Sequence, residues 1–316
     1  MRILLTGATG QVGWELARSL QPLGDVVACD RRRADLSDPG RLADLVASVA
    51  PRVVVNAAAY TAVDRAEQEP RLAGTINGEA PGLLAAAARK ADALLVHYST
   101  DHVFDGSGAA PRDERAPVAP INAYGRSKLA GERAIAQAGG DWLVLRTSWV
   151  YASRGSNFVM AMLRLGAQRD TLRVVADQFG APTSARLIAD ATAQIVRQAL
   201  DERSQGRFES ETLHLCADGE TSRHGFARAV FDGWRAHAGA DAVRVREIVP
   251  IPSTDYPTPA LRPLNSRLDC SRIGARYCLR LPRWESGLAL VLQEIAEMPG
   301  QQATSARHGR ATVRSE

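Results

Sequence analysis

The sequence predicts an α/β fold, a doubly wound parallel sheet with a smaller C-terminal lobe, and three observations predict it. Short runs of consecutive apolar residues alternate with helical patterns through the first half of the chain. A glycine-rich turn stands directly after the first of those runs. The alternation then fades near residue 150. Strands covered by helices on both faces read as unbroken apolar runs, and the helices between them make right-handed crossovers.

The expected strands are RILLT (2–6), DVVAC (25–29), RVVVN (52–56), ALLVHYS (93–99) and WLVLRTSW (142–149). Between them lie the helical patterns QVGWELARSLQPL (11–23), PGRLADLVASVA (39–50) and the long PRLAGTINGEAPGLLAAAARKA (70–91). Beyond residue 150 buried-strand runs are fewer, polar connections more frequent, and prolines gather in VPIPSTDYPTPALRP (249–263). Helices are expected over 184–200, 222–237 and 284–297. The organisation expected is a dinucleotide-binding domain over 1–150 to which some later segments return, and a mainly substrate-binding lobe over 151–298. Residues 299–316 lack apolar periodicity and read as a flexible tail. There is no internal repeat.

With 316 residues, 45% of them hydrophobic, the chain can bury a substantial core. Its formal charge is +4, and residues 299–316 supply three Arg against one Glu, half of that excess. No nucleic-acid footprint results. Cys29, Cys216, Cys270 and Cys278 show neither CxxC nor Cys/His metal spacing. They read as free thiols in a reducing compartment, each a small core residue. No run approaches about 18 apolar residues and no signal-peptide pattern opens the chain, so a soluble cytoplasmic protein with no membrane partner is expected.

The stretch TGATGQVG places Gly7, Gly10 and Gly13 between the first strand and the first helix. Such a loop lets backbone amides reach a pyrophosphate, and the helix N-terminus adds favourable partial charge. Gln11 and Val12 stand at that approach. This context makes the sheet Rossmann-like and the ligand a dinucleotide. The second strand leads into Asp30, where a carboxylate can accept hydrogen bonds from an adenosine ribose; Arg31, Arg32 and Arg33 follow and can pair with a 2′-phosphate. Both NADH and NADPH therefore remain open as cofactor. Asp35 and Leu36 are placed to flank the adenine or, equally, to open a helix with Ser37, Asp38 and Pro39.

The second constellation is NAYGRSKLAGE (122–132). Asn122 can cap a helix, and Tyr124 and Lys128, four positions apart, share a face of it. A phenol with a pKa near 10 is a poor proton donor or acceptor at neutral pH, and a neighbouring ammonium would lower it. Next to a nicotinamide, such an acid can protonate an oxygen as hydride reaches its carbon. Ser99, Thr100 and Asp101 end the fourth strand, the edge at which open α/β sheets bind ligands. Thr100 is the hydroxyl expected to reach a substrate carbonyl.

Through GATGQVGWEL, VVVNAAAYTAVDRAEQEP, YSTDHVFDG, NAYGRSKLAGE, RTSWVY, DQFGAPTSA and RPLNSRL, nearly the whole chain except its tail resembles the extended short-chain dehydrogenases/reductases. It resembles most the branch that reduces dTDP-4-dehydro sugars. That resemblance implies NAD(P)H-dependent reduction of dTDP-4-dehydro-β-L-rhamnose at C4 to dTDP-β-L-rhamnose, the final step of making a donor for bacterial surface polysaccharide. It implies Tyr124 as proton donor, Lys128 as its tuner and ribose anchor, and Thr100 as a hydrogen bond to the carbonyl, with Asp101 and Trp149 lining the sugar. It carries cofactor contacts onto Gly10, Gln11, Val12, Asp30, Asp35, Leu36, Ala59, Tyr60, Thr61 and Tyr98. From the residues themselves, DQFGAPT (177–183) suits a substrate-facing loop, and Arg262 and Arg267 are candidates for the diphosphate.

Some relatives hold a magnesium ion at a homodimer contact through acidic residues. Glu15 and Glu294 correspond, but the position between them is Arg186, a side chain that cannot ligate a cation. Metal-linked dimerisation is therefore not expected, and a homodimer would need another dominant contact. Two other readings share the signature: a different nucleotide-sugar 4-ketoreductase or epimerase, and a non-catalytic NADP-binding regulatory subunit. The intact Thr100, Tyr124 and Lys128 favour an enzyme over the second.

Overall fold

The structure, a computed structural model, describes residues 1–298; the expected tail lies outside the described residues. Five strands form where apolar runs were expected: β1 (Arg2–Thr6), β2 (Asp25–Cys29), β3 (Val53–Asn56), β4 (Leu94–Thr100) and β5 (Trp142–Thr147). A sixth, Glu211–His214, joins the edge of the same sheet, whose order is Glu211–His214, β5, β4, β3, β1, β2. Every pairing is parallel. The sixth strand escapes sequence reasoning because it is short and lies in the half of the chain where the alternation has faded.

Successive side chains of β1 point to opposite faces and both faces are buried, which is why its run is unbroken. Ile3 and Leu5 pack with Leu16, Val53, Ile188 and Ile195 on one side. Leu4 packs with Leu42, Val54, Leu84 and Ile135 on the other. A separate core gathers Trp149, Tyr151, Phe226, Phe231, Trp234 and Leu292. The three later helices form as Ala185–Ser204, Arg223–Ala238 and Trp284–Glu297. Thr171–Val175 pairs in parallel with Glu247–Ile251, and Phe179–Gly180 joins Thr221–Ser222 and Asn265–Ser266 in a small three-stranded sheet.

Two expectations need correction. The long pattern over 70–91 is interrupted by a π-helical turn at Thr75–Glu79, between Pro70–Gly74 and Ala80–Lys90. Pro81 lies just beyond it and offers no N–H, so the regular ladder could not have run through. The wider turn carries the buried Asn77, which accepts from the Tyr60 N–H at 2.8 Å and donates to the Ser127 hydroxyl at 3.0 Å. The cysteines are free, but they are not all core residues. Cys29 and Cys216 are buried, Cys270 is half-buried and Cys278 is exposed. Cys278 ends the helix Ser271–Tyr277 in the left-handed region, at φ 49°, which turns it out of the core.

Candidate active site

The sheet order reverses at β1, and the loops after β1 and β3 meet there. A β-carbon on Gly7 would fall 2.6 Å from the Ala58 nitrogen, and one on Gly13 would fall 2.0 Å from the Gly7 carbonyl oxygen. Gly7 also has φ 73°, a conformation that glycine adopts without strain. These glycines let helix Gln11–Ser19 start tightly against the strand end. Its N-cap, Gly10, makes no side-chain capping bond, so the first amides of the helix have no side-chain partner and suit an anion. Gln11 accepts from Asn157 Nδ2 at 2.9 Å, while Val12 packs on the core below.

Around the second loop, Asp30 Oδ1 accepts from the backbone N–H of Arg32 at 3.0 Å and of Arg33 at 3.2 Å, so the carboxylate organises the turn that displays the arginines. Arg31 pairs with Asp35 at 3.3 Å, and Asp35 also accepts from Ser37; the Ser37 bonds, with Arg31 adding to them, hold its carboxyl below the usual range. The Leu36 side chain is 4% exposed and belongs to the core with Ala34, Leu42 and Val46. After β3, Ala59 and Tyr60 are half-buried and Thr61 is exposed; the Tyr60 hydroxyl donates to Glu69 at 2.5 Å. The Tyr98 hydroxyl bonds Thr192 at 2.7 Å inside the core, and it is the Tyr98 carbonyl that faces Lys128.

Asn122 caps the helix Ala123–Ala138 by accepting from the Gly125 N–H at 2.8 Å, and its amide nitrogen lies 2.9 Å from His102 Nδ1. The His102 and Tyr124 rings meet edge to face at 5.4 Å. Burial first, and the Asp101 charge with it, push the Tyr124 phenol up to about 12, while the Thr100 hydroxyl beside it pulls the other way. This reverses the expected direction. Burial outweighs any help from Lys128, whose Nζ is engaged by His97 Nε2 at 3.0 Å and by the Tyr98 carbonyl at 2.6 Å. Burial brings Lys128 itself down to about 8, against an upward pull from Glu132. Glu132 is in turn bound by Arg146 at 2.6 Å and by the Ser99 hydroxyl at 2.5 Å.

Thr100 donates to Asp101 Oδ1 at 3.0 Å, and Asp101 Oδ2 is buried without a partner. Trp149 adopts φ 47°, uncommon for a residue of its bulk, and the Arg223 guanidinium lies 3.7 Å over its ring. Burial lowers Arg223 to about 10, with Asp101 opposing that shift. Sequence reasoning misses Arg223, which opens a Ser222-capped helix with no spacing signature of its own. It also misses His97, His102 and Asn56, single polar residues inside apolar runs or turns.

Among the arginines proposed for the diphosphate, Arg262 is held by Asp64 at 2.6 Å and Arg267 by Glu220 at 2.5 and 3.1 Å. In the segment 177–183, Asp177 accepts from Ser253, and Phe179–Gly180 is a strand rather than a free loop. Arg186 is bonded to Glu294 at 2.9 Å and to Glu15 at 3.3 Å, so one guanidinium neutralises the two carboxylates considered for a metal. Among the described residues no helix is long and apolar enough to cross a membrane.

A parallel sheet reversing beside a glycine-rich helix start, with a Tyr-xxx-Lys helix over the next strands, defines the class as a Rossmann-like protein of the short-chain dehydrogenase/reductase type. Residues 1–297 match the family described as RmlD substrate binding domain, and the chain belongs to that family. It is 52% identical to the dTDP-4-dehydrorhamnose reductase of Burkholderia thailandensis over 93% of this chain and 99% of the relative. The enzyme of that name from Salmonella typhimurium is 45% identical over 93% and 98%. A crystal structure of the Bacillus anthracis dTDP-4-dehydrorhamnose reductase in complex with NADP superposes with a TM-score of 0.84 at 33% identity, covering 93% of this chain and 99% of that one.

Proposed function

We propose that this chain reduces dTDP-4-dehydro-β-L-rhamnose at C4, using NAD(P)H, to give dTDP-β-L-rhamnose. The observation that carries the reading is the Tyr124 phenol set beside the Thr100 hydroxyl at the carboxyl end of β4. Likeness to reductases of that name supports the substrate.

The cofactor fits what the chain offers: uncapped helix amides after Gly10, and Asp30 with three arginines at the end of β2. Gly7, Gly10, Gln11, Val12 and Gly13 would hold its pyrophosphate, and Asp30 its adenosine ribose. Bound NAD(P)H supplies the hydride. Thr100, turning its one hydroxyl proton from Asp101 to the C4 carbonyl, would donate a hydrogen bond there and draw electron density towards the oxygen. Tyr124, held as a neutral phenol by its burial, gives its proton to that oxygen as alkoxide character develops, because an alkoxide is the stronger base. Lys128, one helical turn from Tyr124, would anchor the ribose, while Asp101 and Trp149 would line the sugar.

The test is to follow nicotinamide absorbance with enzymatically prepared dTDP-4-dehydrorhamnose, with NADH and NADPH in parallel. Stoichiometric cofactor oxidation with dTDP-rhamnose as product supports the reading. Turnover only with another nucleotide sugar overturns its substrate, and none with any of them its catalysis.

A further inference from the structure

Beneath Tyr124 a line of buried polar groups crosses β1, β3 and β4. The Thr6 hydroxyl donates to Asn56 Oδ1 at 2.6 Å, and the backbone N–H of Ala58 donates to the same oxygen at 3.2 Å. Asn56 Nδ2 lies 3.0 Å from His97 Nδ1, His97 Nε2 lies 3.0 Å from Lys128 Nζ, and Lys128 donates to the Tyr98 carbonyl at 2.6 Å. Thr6, Asn56, His97 and Lys128 are between 0% and 2% exposed. In such a place each donor must meet an acceptor, because bulk water cannot repair a mismatch.

One group in the line has no choice. A backbone N–H only donates, so Ala58 fixes the oxygen of the Asn56 amide on its side and turns the NH2 towards His97. His97 Nδ1 must then accept, and a neutral imidazole accepting at Nδ1 carries its proton on Nε2. That proton points at Lys128 Nζ. An ammonium has three N–H groups and no lone pair to receive it; a neutral amine has one.

The alternatives each bury a clash. An ammonium donating to Nε2 moves the imidazole proton to Nδ1, against the Asn56 NH2. Turning the amide over sets its NH2 against the Ala58 N–H. Protonating both ring nitrogens adds a donor at each end, and burial, the larger cause, holds His97 well below its ordinary value.

We propose that in the ligand-free protein Lys128 is a neutral amine, held so by a one-directional chain from the Ala58 N–H through Asn56 and His97, which act as positioning residues for its charge. The surroundings agree. Glu132, one turn along the helix, draws Lys128 towards charge, but its carboxylate is bound by Arg146 from β5 and Ser99 from β4. The Tyr98 hydroxyl is turned away to Thr192. Burial, against the pull of Glu132, brings Lys128 down to about 8, and the hydrogen-bond directions are what carry it on to the neutral amine near pH 7. The cation that would stabilise a tyrosinate at Tyr124 thus has to be created, by proton uptake at Lys128 with reversal of the chain. Calling Lys128 an active-site lysine rests on the function proposed above; the charge assignment does not.

The tautomer of His97 decides the matter. In two-bond proton–nitrogen correlation spectra of the ligand-free full chain near neutral pH, His97 should show a pyrrole-type Nε2 and a pyridine-type Nδ1. Asn56→Asp replaces the donor by a second acceptor, so His97 should switch to the Nδ1-protonated form and Lys128 to an ammonium. A wild-type His97 protonated at Nδ1, or at both nitrogens, overturns the proposal, as does an Asn56→Asp spectrum with the tautomer unchanged. If that variant does not fold, the wild-type spectrum decides alone. Neither measurement depends on turnover, so failure here leaves the proposed reductase activity standing.

Discussion

A β-carbon on Gly180 would lie 2.8 Å from Cε2 of Trp149. The glycine is the space into which the indole fits, and the Arg223 guanidinium lies over the same ring at 3.7 Å. Trp149 pays for this placement with a left-handed backbone at φ 47°. Gly180→Ala should therefore displace the indole and raise KM for the nucleotide sugar about tenfold, equivalent to about 1.4 kcal/mol, with the KM for cofactor little changed. Steady-state kinetics with each substrate varied checks this; equal rises in both KM values would remove Trp149 from the sugar site.

Tyr124→Phe keeps the ring against His102 and removes the hydroxyl. The expected loss in kcat is about 10²–10⁴-fold, the usual contribution of a placed general acid. Cofactor affinity, measured by quenching of protein fluorescence, should stay near wild type. Near-normal kcat in this variant would reject the assigned role.

Arg32 and Arg33 form no ion pair among the described residues, and Asp30 fixes the turn that carries them. Replacing both by Ala should raise KM for NADPH by about tenfold, the worth of a charge-assisted bond to phosphate, and change that for NADH little. A parallel rise in both would show that these arginines do not read a 2′-phosphate.

Chelation by EDTA should leave activity unchanged, since Arg186 already neutralises Glu15 and Glu294. Arg186→Glu should lower stability by about 1–3 kcal/mol through three facing carboxylates, and magnesium should restore part of it. Thermal melts with and without magnesium test this. EDTA inhibition of the wild type, reversed by magnesium, would refute it.

Burial first, then the Arg146 charge, push His214 down to about 3, and burial holds His97 well below its ordinary value. Both fold as neutral rings, whereas the unfolded chain protonates them below a pH of about 6.5. Stability is thus full above that pH and falls as the pH drops towards the folded values, by about 1.4 kcal/mol per unit for each histidine. Between pH 6.5 and 5 His214 should cost about 1.6 kcal/mol, and His97 adds to the loss in the same direction. Urea unfolding at the two pH values measures it, and His214→Phe should remove the share that His214 contributes. A pH-independent midpoint would contradict the assignment.

What the sequence determined by itself is what depends on local pattern. Unbroken apolar runs such as VVVN and LLVHYST can only be buried on both faces, so β1 to β5, the parallel sheet and the helices between them were legible. So was the helix Ala123–Ala138, where Asn122 caps and a four-residue spacing aligns Tyr124 with Lys128. Tertiary structure decided everything that depends on what a side chain meets across the fold. Leu36 reads as an apolar residue beside adenine, and what it packs on in the fold is Ala34, Leu42 and Val46. Arg262 and Arg267 read as candidates for the diphosphate, and carboxylates distant in sequence hold them, while Arg223 lies over Trp149. Above all, a shared helical face brings two residues near one another without saying which neighbour each will bond. The amine of Lys128 went to His97 and the Tyr98 carbonyl, because the strand beneath offers buried partners while the phenol above is held by burial, Thr100 and His102. Spacing along one helix fixes direction; hydrogen-bond partners and charge depend on strands that the sequence places tens of residues away.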